Sequence, residues 1–534
     1  MSAPRQNVSS PHDLGGEYDP LADSWLWAPP PTHTSILVLV NACFMYLLWR
    51  DNRRRMMQRG AEPPGPKGIP IIGSLLELRG NPILRLRDIA RQYGPIVSIK
   101  FGMLKVVMLN DVPTIQEAFV NNSTIFNDRP TFLGVLTGSG TTKGMVSLSS
   151  GPFHRNQRLL MADILRSLGI GRTKGEVFFS QSVTTLCNYL TASDQCPIDS
   201  IQINKFVFDA FTSFTFGPDW EVNKSLTDLR ESPSEILKMN PAMILASQFF
   251  PNFIVRNIMP RKYKLEKALR SLLQNTRRRA EENPDTVEDE FDSYVDGIIK
   301  IQEQAKRQLA KSNDAALRER AQAFLAPDEH YTLVLFDFFV IGTETSLIGL
   351  KWVLQILMVY PEWQRRIQEE IDHVVGVGSD APSLTHKSKM HVTMATITEV
   401  LRFRPVTSLG APHRVTEDTT LGGYFIPGGT TLITNIYAAN TDGALWEEPD
   451  RFNPKRFLNP EGKFTVPNKI MTFSTGQRAC PGEKWTRSLI YLYITNVLKH
   501  FTLKFPNGTP LPDLDGHPGI NHAPHEFKIC AVPR

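Results

Sequence analysis

Apolar positions fall into three patterns along this chain. Ser35 to Trp49 (SILVLVNACFMYLLW) is uncharged and mostly apolar, without helical or strand periodicity. Longer stretches downstream carry apolar residues at helical spacing. They predict helices over Glu329 to Tyr360, Glu362 to Val375 (Glu369, Glu370 and Asp372 on its polar face), Met394 to Arg404 and Trp485 to Phe501. Short β-branched runs with glycine or proline between them predict strands at Ile96–Phe101, Lys105–Leu109, Gly423–Ile426 and Thr431–Asn435. The pattern therefore describes a mainly α body with small β-sheets, one near each end of the chain.

The first apolar run reads as a membrane anchor. Its fifteen residues would span about 22 Å as a helix, against roughly 30 Å of hydrocarbon. Flanking Thr32 to Thr34 and a snorkelling Arg50 make up most of the difference. Arg50, Arg53, Arg54, Arg55 and Arg59 follow it, whereas residues 1–34 carry Asp13, Glu17, Asp19 and Asp23 against Arg5 alone. The positive-inside rule then puts the tail in the lumen and the body in the cytosol. A cleaved signal peptide would have the charges before the run and small residues after it. The expected organisation is a lumenal tail at 1–34, one transmembrane helix at 35–50, a basic and proline-rich linker at 51–66, and a single catalytic domain at 67–534. In that topology Asn7-Val8-Ser9 is a lumenal glycosylation sequon.

Composition narrows the function classes. Among 534 residues 41% are hydrophobic, enough for a large core, and no internal repeat divides the chain. The net charge of +5 comes from widely scattered basic residues, which does not suggest nucleic acid as a partner. Cys43, Cys187, Cys196, Cys480 and Cys530 form no CxxC pair, so neither a disulfide framework nor a structural zinc site is indicated.

One of those cysteines has unusual surroundings, in Phe473-Ser474-Thr475-Gly476-Gln477-Arg478-Ala479-Cys480-Pro481-Gly482. Gly476 and Gly482 let backbone approach a flat ligand, Phe473 can shield a sulfur from water, and Arg478 can meet a carboxylate. The helix that starts just beyond would put its N-terminal dipole near the sulfur, which favours thiolate. The pattern Phe-x-x-Gly-x-Arg-x-Cys-x-Gly resembles the haem-binding loop of the cytochrome P-450 family, microsomal and animal-like in flavour. That resemblance covers residues 63 to the end and implies the cytochrome P-450 fold, with Cys480 as axial ligand to the iron of haem b.

Further positions match the family. Ile341-Gly342-Thr343-Glu344-Thr345-Ser346 resembles its oxygen-activation segment, in which Glu344 and Thr345 relay protons and Gly342 opens space beside the helix. Ile341 stands where the family usually has Ala or Gly, and should narrow the pocket. By resemblance the haem propionates meet Arg158, His413 and Arg478, together with His154, which replaces the family's usual tryptophan. Glu399, Arg402 and Arg456 match a buried structural triad behind the cysteine loop. Phe336, Phe339 and Val340 precede the oxygen segment and are expected to face the substrate, with the apolar stretch 236–260 beside the membrane.

The implied activity is a haem-thiolate monooxygenase that inserts one oxygen atom from O2 into a lipophilic substrate such as a steroid, fatty acid, terpenoid or xenobiotic. NADPH-derived electrons would arrive through the flavoprotein NADPH–cytochrome P-450 reductase, with cytochrome b5 as a second donor and Arg155 and Lys484 as docking residues. The lipid bilayer of the endoplasmic reticulum is the remaining partner. Two other readings compete. A haem-thiolate isomerase or dehydratase would work without reductase, but such enzymes tend to lack the acid–threonine pair; a non-catalytic membrane-tethered haem protein would have no use for it.

Overall fold

The computed structural model describes residues 61–133, 143–217, 260–282, 290–311, 313–378, 381–519 and 521–534, with positions 40, 43, 46 and 47 helical in the N-terminal region. The rest of the expected anchor lies outside the described residues, as do residues 236–259 of the expected entrance. The chain divides into Met1–Ala61 and a body, Glu62–Arg534. The body starts five residues before the expected boundary at 67. Ser98 donates its N–H to the Pro64 carbonyl at 2.8 Å, so the end of the proline-rich stretch is fastened to the sheet.

Eleven described helices of eight or more residues build the body: α1 Pro82–Tyr93, α2 Pro152–Ser167, α3 Val177–Ala192, α4 Asn204–Phe216, α5 Pro260–Glu282, α6 Tyr294–Lys311, α7 Ala315–Phe324, α8 Asp328–Val359, α9 Pro361–Val374, α10 His391–Phe403 and α11 Glu483–His500. Their ends follow local chemistry. Asn81 caps α1 by accepting from the N–H groups of Ile83 and Leu84, at 3.1 and 3.4 Å. Pro361 ends α8 and opens α9, where its missing N–H costs nothing.

α8 organises the core. At 32 residues it is about 48 Å long, and it packs against α4, α5, α10 and α11. Among the described residues it is the one helix long and apolar enough to cross a membrane, yet most of it is buried in protein. Trp352, Trp485, Tyr491 and Tyr493 fill the space between α8, α11 and their neighbours.

The strands depart from the expected sheet at each end. β1 Ile96–Phe101 and β2 Leu104–Leu109 form a hairpin, and β2 runs parallel to β7 Thr431–Thr434, pairing Val106 with Thr431 through Leu109 with Thr434. With β4 His413–Arg414 they make one four-stranded sheet in the order β1-β2-β7-β4. Two strands over three hundred residues apart thus close the fold. The continuous run Val106-Val107-Met108-Leu109, all buried, is the signature of an interior strand. A three-stranded sheet, β3 Ile198–Asp199, β9 Lys528–Pro533 and β8 Phe501–Lys504, and the pair β5 Thr419–Leu421 and β6 Tyr424–Ile426 complete the architecture.

Candidate active site

The cysteine loop is held by its backbone. Ser474 and Gly476 both have positive φ, 61° and 73°, and Cys480 donates its N–H to the Phe473 carbonyl at 2.9 Å. A Cβ on Gly476 would stand 2.1 Å from the Phe119 carbonyl oxygen, so only glycine fits. Gly482 differs: its φ is −85°, and a Cβ there would meet the Cys480 sulfur at an ordinary 3.8 Å. Within the protein itself, Gly476 is the one of the two whose packing requires glycine.

Gly482 caps α11, which begins at Glu483, two residues before the expected start. The N–H groups of Gly482 and Glu483 point at the Cys480 sulfur. The Cys480 side chain has solvent-accessible surface, while the chain packs closely around the loop that carries it. Burial pushes the thiol pKa up, opposed by those two N–H groups and by Arg158, while the Glu483 carboxylate adds to the rise. Arg487 offsets that acid, pairing with Glu483 at 2.8 Å and lying 4.9 Å over the Phe473 ring. The two N–H groups and Arg158 thus act toward thiolate, as expected, against the effect of burial. A cation at the sulfur is what would make thiolate the stable form, as in any metal-bound cysteine.

Next to the sulfur, basic side chains from four chain segments converge. Arg158, one helical turn beyond His154 on α2, donates to the Ala479 carbonyl at 2.9 Å. Arg478 donates to the carbonyls of Asn127 and Leu148, at 3.1 and 2.7 Å, and to the Ser150 hydroxyl. His413 is buried, stacked 4.0 Å from Phe119, with Nδ1 3.0 Å from the Phe126 carbonyl. Arg129 donates to the carbonyls of Ala411 and Pro412, at 2.9 and 2.7 Å. Burial, then Arg478, Arg158 and Arg129, hold His154 at about 3. Burial and the neighbouring arginine lower Arg478 to about 10, with Asp128 opposing. Arg129 and His413 are lowered for the same reasons.

So much positive charge in one place, offset by Asp128, fits a bound group carrying carboxylates. With a cysteine sulfur beside it, the donor set fits haem b. Arg129 was not visible in the sequence as part of this cluster; an arginine before Pro130 in a loop carries no spacing signal of its own.

On α8 the half-buried positions are Phe338, Ile341, Gly342 and Thr345, in a helix otherwise almost wholly buried from His330 to Met358. Thr345 bonds its hydroxyl back to the Ile341 carbonyl at 2.8 Å, and Glu344 is buried. The space left by Gly342 is taken by Phe211 of α4, whose ring edge would lie 2.8 Å from an added Cβ. Gly342 thus lets α4 approach α8 closely at a partly accessible position. Phe336, Phe339 and Val340 are fully buried, and Phe339 meets Phe208 edge to face at 5.1 Å. All three pack within the main apolar core. Of the four expected substrate contacts, Ile341 has partly accessible surface. The reason is rotational: 336, 339 and 340 lie on other faces of α8 from 338, 341, 342 and 345.

Glu399 accepts from Arg402 Nε and Nη2 at 2.6 and 2.8 Å, from Arg456 Nε at 3.2 Å and from the Asn453 N–H at 2.8 Å. Glu399 and Arg402 are wholly buried. Arg402 also donates to the Asn440 carbonyl at 2.7 Å. The Asn440 side chain in turn accepts from Met471 N–H at 3.0 Å and reaches Thr472 at 3.3 Å. The ion pairs are therefore two bonds away from the start of the cysteine loop. Arg155 and Lys484 are exposed, one beside His154 and one at the start of α11.

A helical body with a cysteine under a helix N-terminus, beside a basic cluster fitted to carboxylates, defines a haem-thiolate protein. The cytochrome P450 family profile matches residues 63–531, and the chain belongs to that family. It is 30% identical over 524 residues to cytochrome P450 2D16 of Cavia porcellus, covering 94% of this chain and 99% of that one. It is 30% identical over 522 residues to cytochrome P450 2D14 of Bos taurus (93% and 98%), and 31% identical over 528 residues to cytochrome P450 2D3 of Rattus norvegicus (96% and 99%). Family membership makes it a haem-thiolate monooxygenase of the animal microsomal type.

Proposed function

We propose that this enzyme inserts one atom of O2 into a lipophilic substrate, taking electrons from NADPH through a flavoprotein reductase. The observation that carries the reading is the Cys480 sulfur under the N–H groups of Gly482 and Glu483, beside Arg129, His154, Arg158, His413 and Arg478. Haem, when bound, supplies the iron on which dioxygen is activated by two electrons and two protons. Cys480 would ligate it, and the basic cluster would hold its propionates.

The other roles belong to this chain's own groups. Glu344 is the acid that would feed protons toward the Thr345 hydroxyl, which its bond to Ile341 holds on α8. Ile341, half-buried, would set the width of the pocket. Exposed Arg155 and Lys484 offer positive charge to an acidic reductase, and cytochrome b5 could use the same face. Membrane attachment at the endoplasmic reticulum, with a lumenal N-terminus and Asn7 available for glycosylation, rests on the 35–50 run and its flanking charges. It agrees with the exposed apolar side chains of Ile69, Ile71, Ile72, Leu76 and Met103 near the start of the body.

The test is reconstitution of the full chain with reductase in phospholipid vesicles, NADPH and isotopically labelled dioxygen against a panel of steroids, fatty acids, terpenoids and drug-like amines. The proposal expects one labelled oxygen in a product and NADPH consumption that depends on reductase. Product formation from a peroxide without NADPH, with none from O2, would favour an isomerase or dehydratase and overturn it.

A further inference from the structure

The C-terminal segment carries three histidines in nine residues, in His517-Pro518-Gly519-Ile520-Asn521-His522-Ala523-Pro524-His525. Nothing in the monooxygenase reading uses them. His517 and Ala523 form an antiparallel bridge, with His517 N–H to the Ala523 carbonyl at 2.7 Å and the reverse bond at 3.3 Å. That bridge brings His525, two residues further on, beside His517. His525 Nδ1 and His517 Nε2 lie 2.9 Å apart, with ring centroids at 4.1 Å and the planes inclined at 66°. His517 is exposed and His525 half-buried, so an ion can reach both from solvent.

We propose that His517 Nε2 and His525 Nδ1 form a two-nitrogen chelate for a divalent transition-metal ion, copper(II) or nickel(II) in preference to zinc(II).

The separation of the two nitrogens carries the choice of metal. The 2.9 Å spacing is that of a hydrogen bond; once the rings turn to aim both lone pairs at one ion, metal–nitrogen bonds of about 2.05 Å at that spacing subtend an angle of about 90°. Tetragonal copper(II) and nickel(II) take that angle; tetrahedral zinc would need the nitrogens about 3.3 Å apart. Imidazole nitrogens suit all three ions. In the ion-free pair one ring donates its N–H to the other's lone pair. Binding needs both lone pairs, so that proton moves to the outer nitrogen of the donor ring, and water completes the coordination.

Described residues beside both ligands are tied to the body. His522, between the two, is pinned in the body by three bonds: its N–H to the Val406 carbonyl at 2.6 Å, its carbonyl from Trp352 Nε1 at 2.8 Å, and its Nε2 to the Asp515 carbonyl at 2.7 Å. Gly516 lies so close to Trp352 that an added Cβ would stand 2.8 Å from the indole ring. Pro518 and Pro524 fix φ next to each ligand. Little ordering is therefore left for the ion to impose.

The experiment is equilibrium dialysis of the haem-loaded full chain against glycine-buffered copper(II), with bound copper measured per haem. Beside the wild type stand His517→Ala, His525→Ala and, as a control elsewhere on the surface, His373→Ala. The inference predicts one copper per chain whose affinity falls at least tenfold in each of the first two variants and is unchanged in the third. Haem content should stay the same in all four. Copper binding that survives both His517→Ala and His525→Ala, or a wild type that binds no more copper than the double variant, would overturn it.

Discussion

Replacing Glu399 with glutamine keeps the shape of the side chain and removes its charge. The wild-type carboxylate accepts four hydrogen bonds, three from guanidinium N–H groups and one from Asn453. Arg402 has no exposed surface and the Arg456 side chain is 10% exposed. The substitution leaves two buried guanidiniums without a counter-charge, and the glutamine NH2 faces donors where an acceptor stood. Breaking a buried pair from one side costs about 3–5 kcal/mol, far above the ~0.2–1 kcal/mol of an exposed pair. At 1.36 kcal/mol per decade, about 3–5 kcal/mol is a fall of between one hundred and several thousand-fold in the folding equilibrium constant. The loss should reach the haem, because Arg402 bonds to Asn440 and Asn440 bonds to Met471 and Thr472 at the start of the cysteine loop. The assay is thermal unfolding followed by haem absorbance at low and high salt, and high salt should change the deficit little, since buried pairs are poorly screened. A loss under about 1 kcal/mol, or one abolished by salt, would place the triad among surface pairs and refute the reasoning.

Other substitutions separate neighbouring roles. Gly476→Ala should abolish stable haem incorporation, because its Cβ would meet the Phe119 carbonyl at 2.1 Å and its φ is 73°; Gly482→Ala, with neither constraint, should retain it, as haem content after purification will show. Arg129→Met removes the donor to the Ala411 and Pro412 carbonyls and one cation of the cluster; haem transfer to apomyoglobin should run at least tenfold faster, with Arg129→Lys in between. His522 is held neutral, its pKa lowered from about 6.5 to about 4 by burial and by Arg404, against the carbonyls of Asp515 and Pro405 that favour its charged form. Its unfolded form binds a proton below about 6.5 and its folded form does so only near 4, so stability falls as pH drops through that window. At roughly 1.4 kcal/mol per pH unit, His522→Gln should flatten the decline in thermal midpoint between pH 6.5 and 4.5, and an unchanged decline would contradict this account.

Much of this was legible in the sequence because it depends on local pattern. The long apolar run gave α8 to within one residue at each end, and proline and glycine punctuation located α9 and both strands of the first hairpin. The motif around Cys480 was visible as a local pattern; the triad was legible by family resemblance, since spacing alone gives only the i,i+3 pair Glu399 and Arg402. What escaped depends on distant chain segments. Pairing of β2 with β7 is decided by backbone groups over three hundred residues apart. Arg129 joins the basic cluster through the carbonyls of residues 411 and 412, and neither partner marks the other in sequence. Phe336, Phe339 and Val340 were read by nearness along the chain to the oxygen segment, and their burial in the core depends on the rotation of α8. At Cys480 the helix terminus was readable from sequence, whereas the opposing burial and the Glu483 carboxylate depend on the fold.

The central claim is that Cys480 ligates haem iron, and the carbon-monoxide difference spectrum of the reduced full chain tests it most directly. The account predicts the strongly red-shifted band of thiolate-ligated haem in the wild type and its loss in Cys480→Ala. A band at the position of histidine-ligated haem, or an unchanged spectrum in Cys480→Ala, would contradict it.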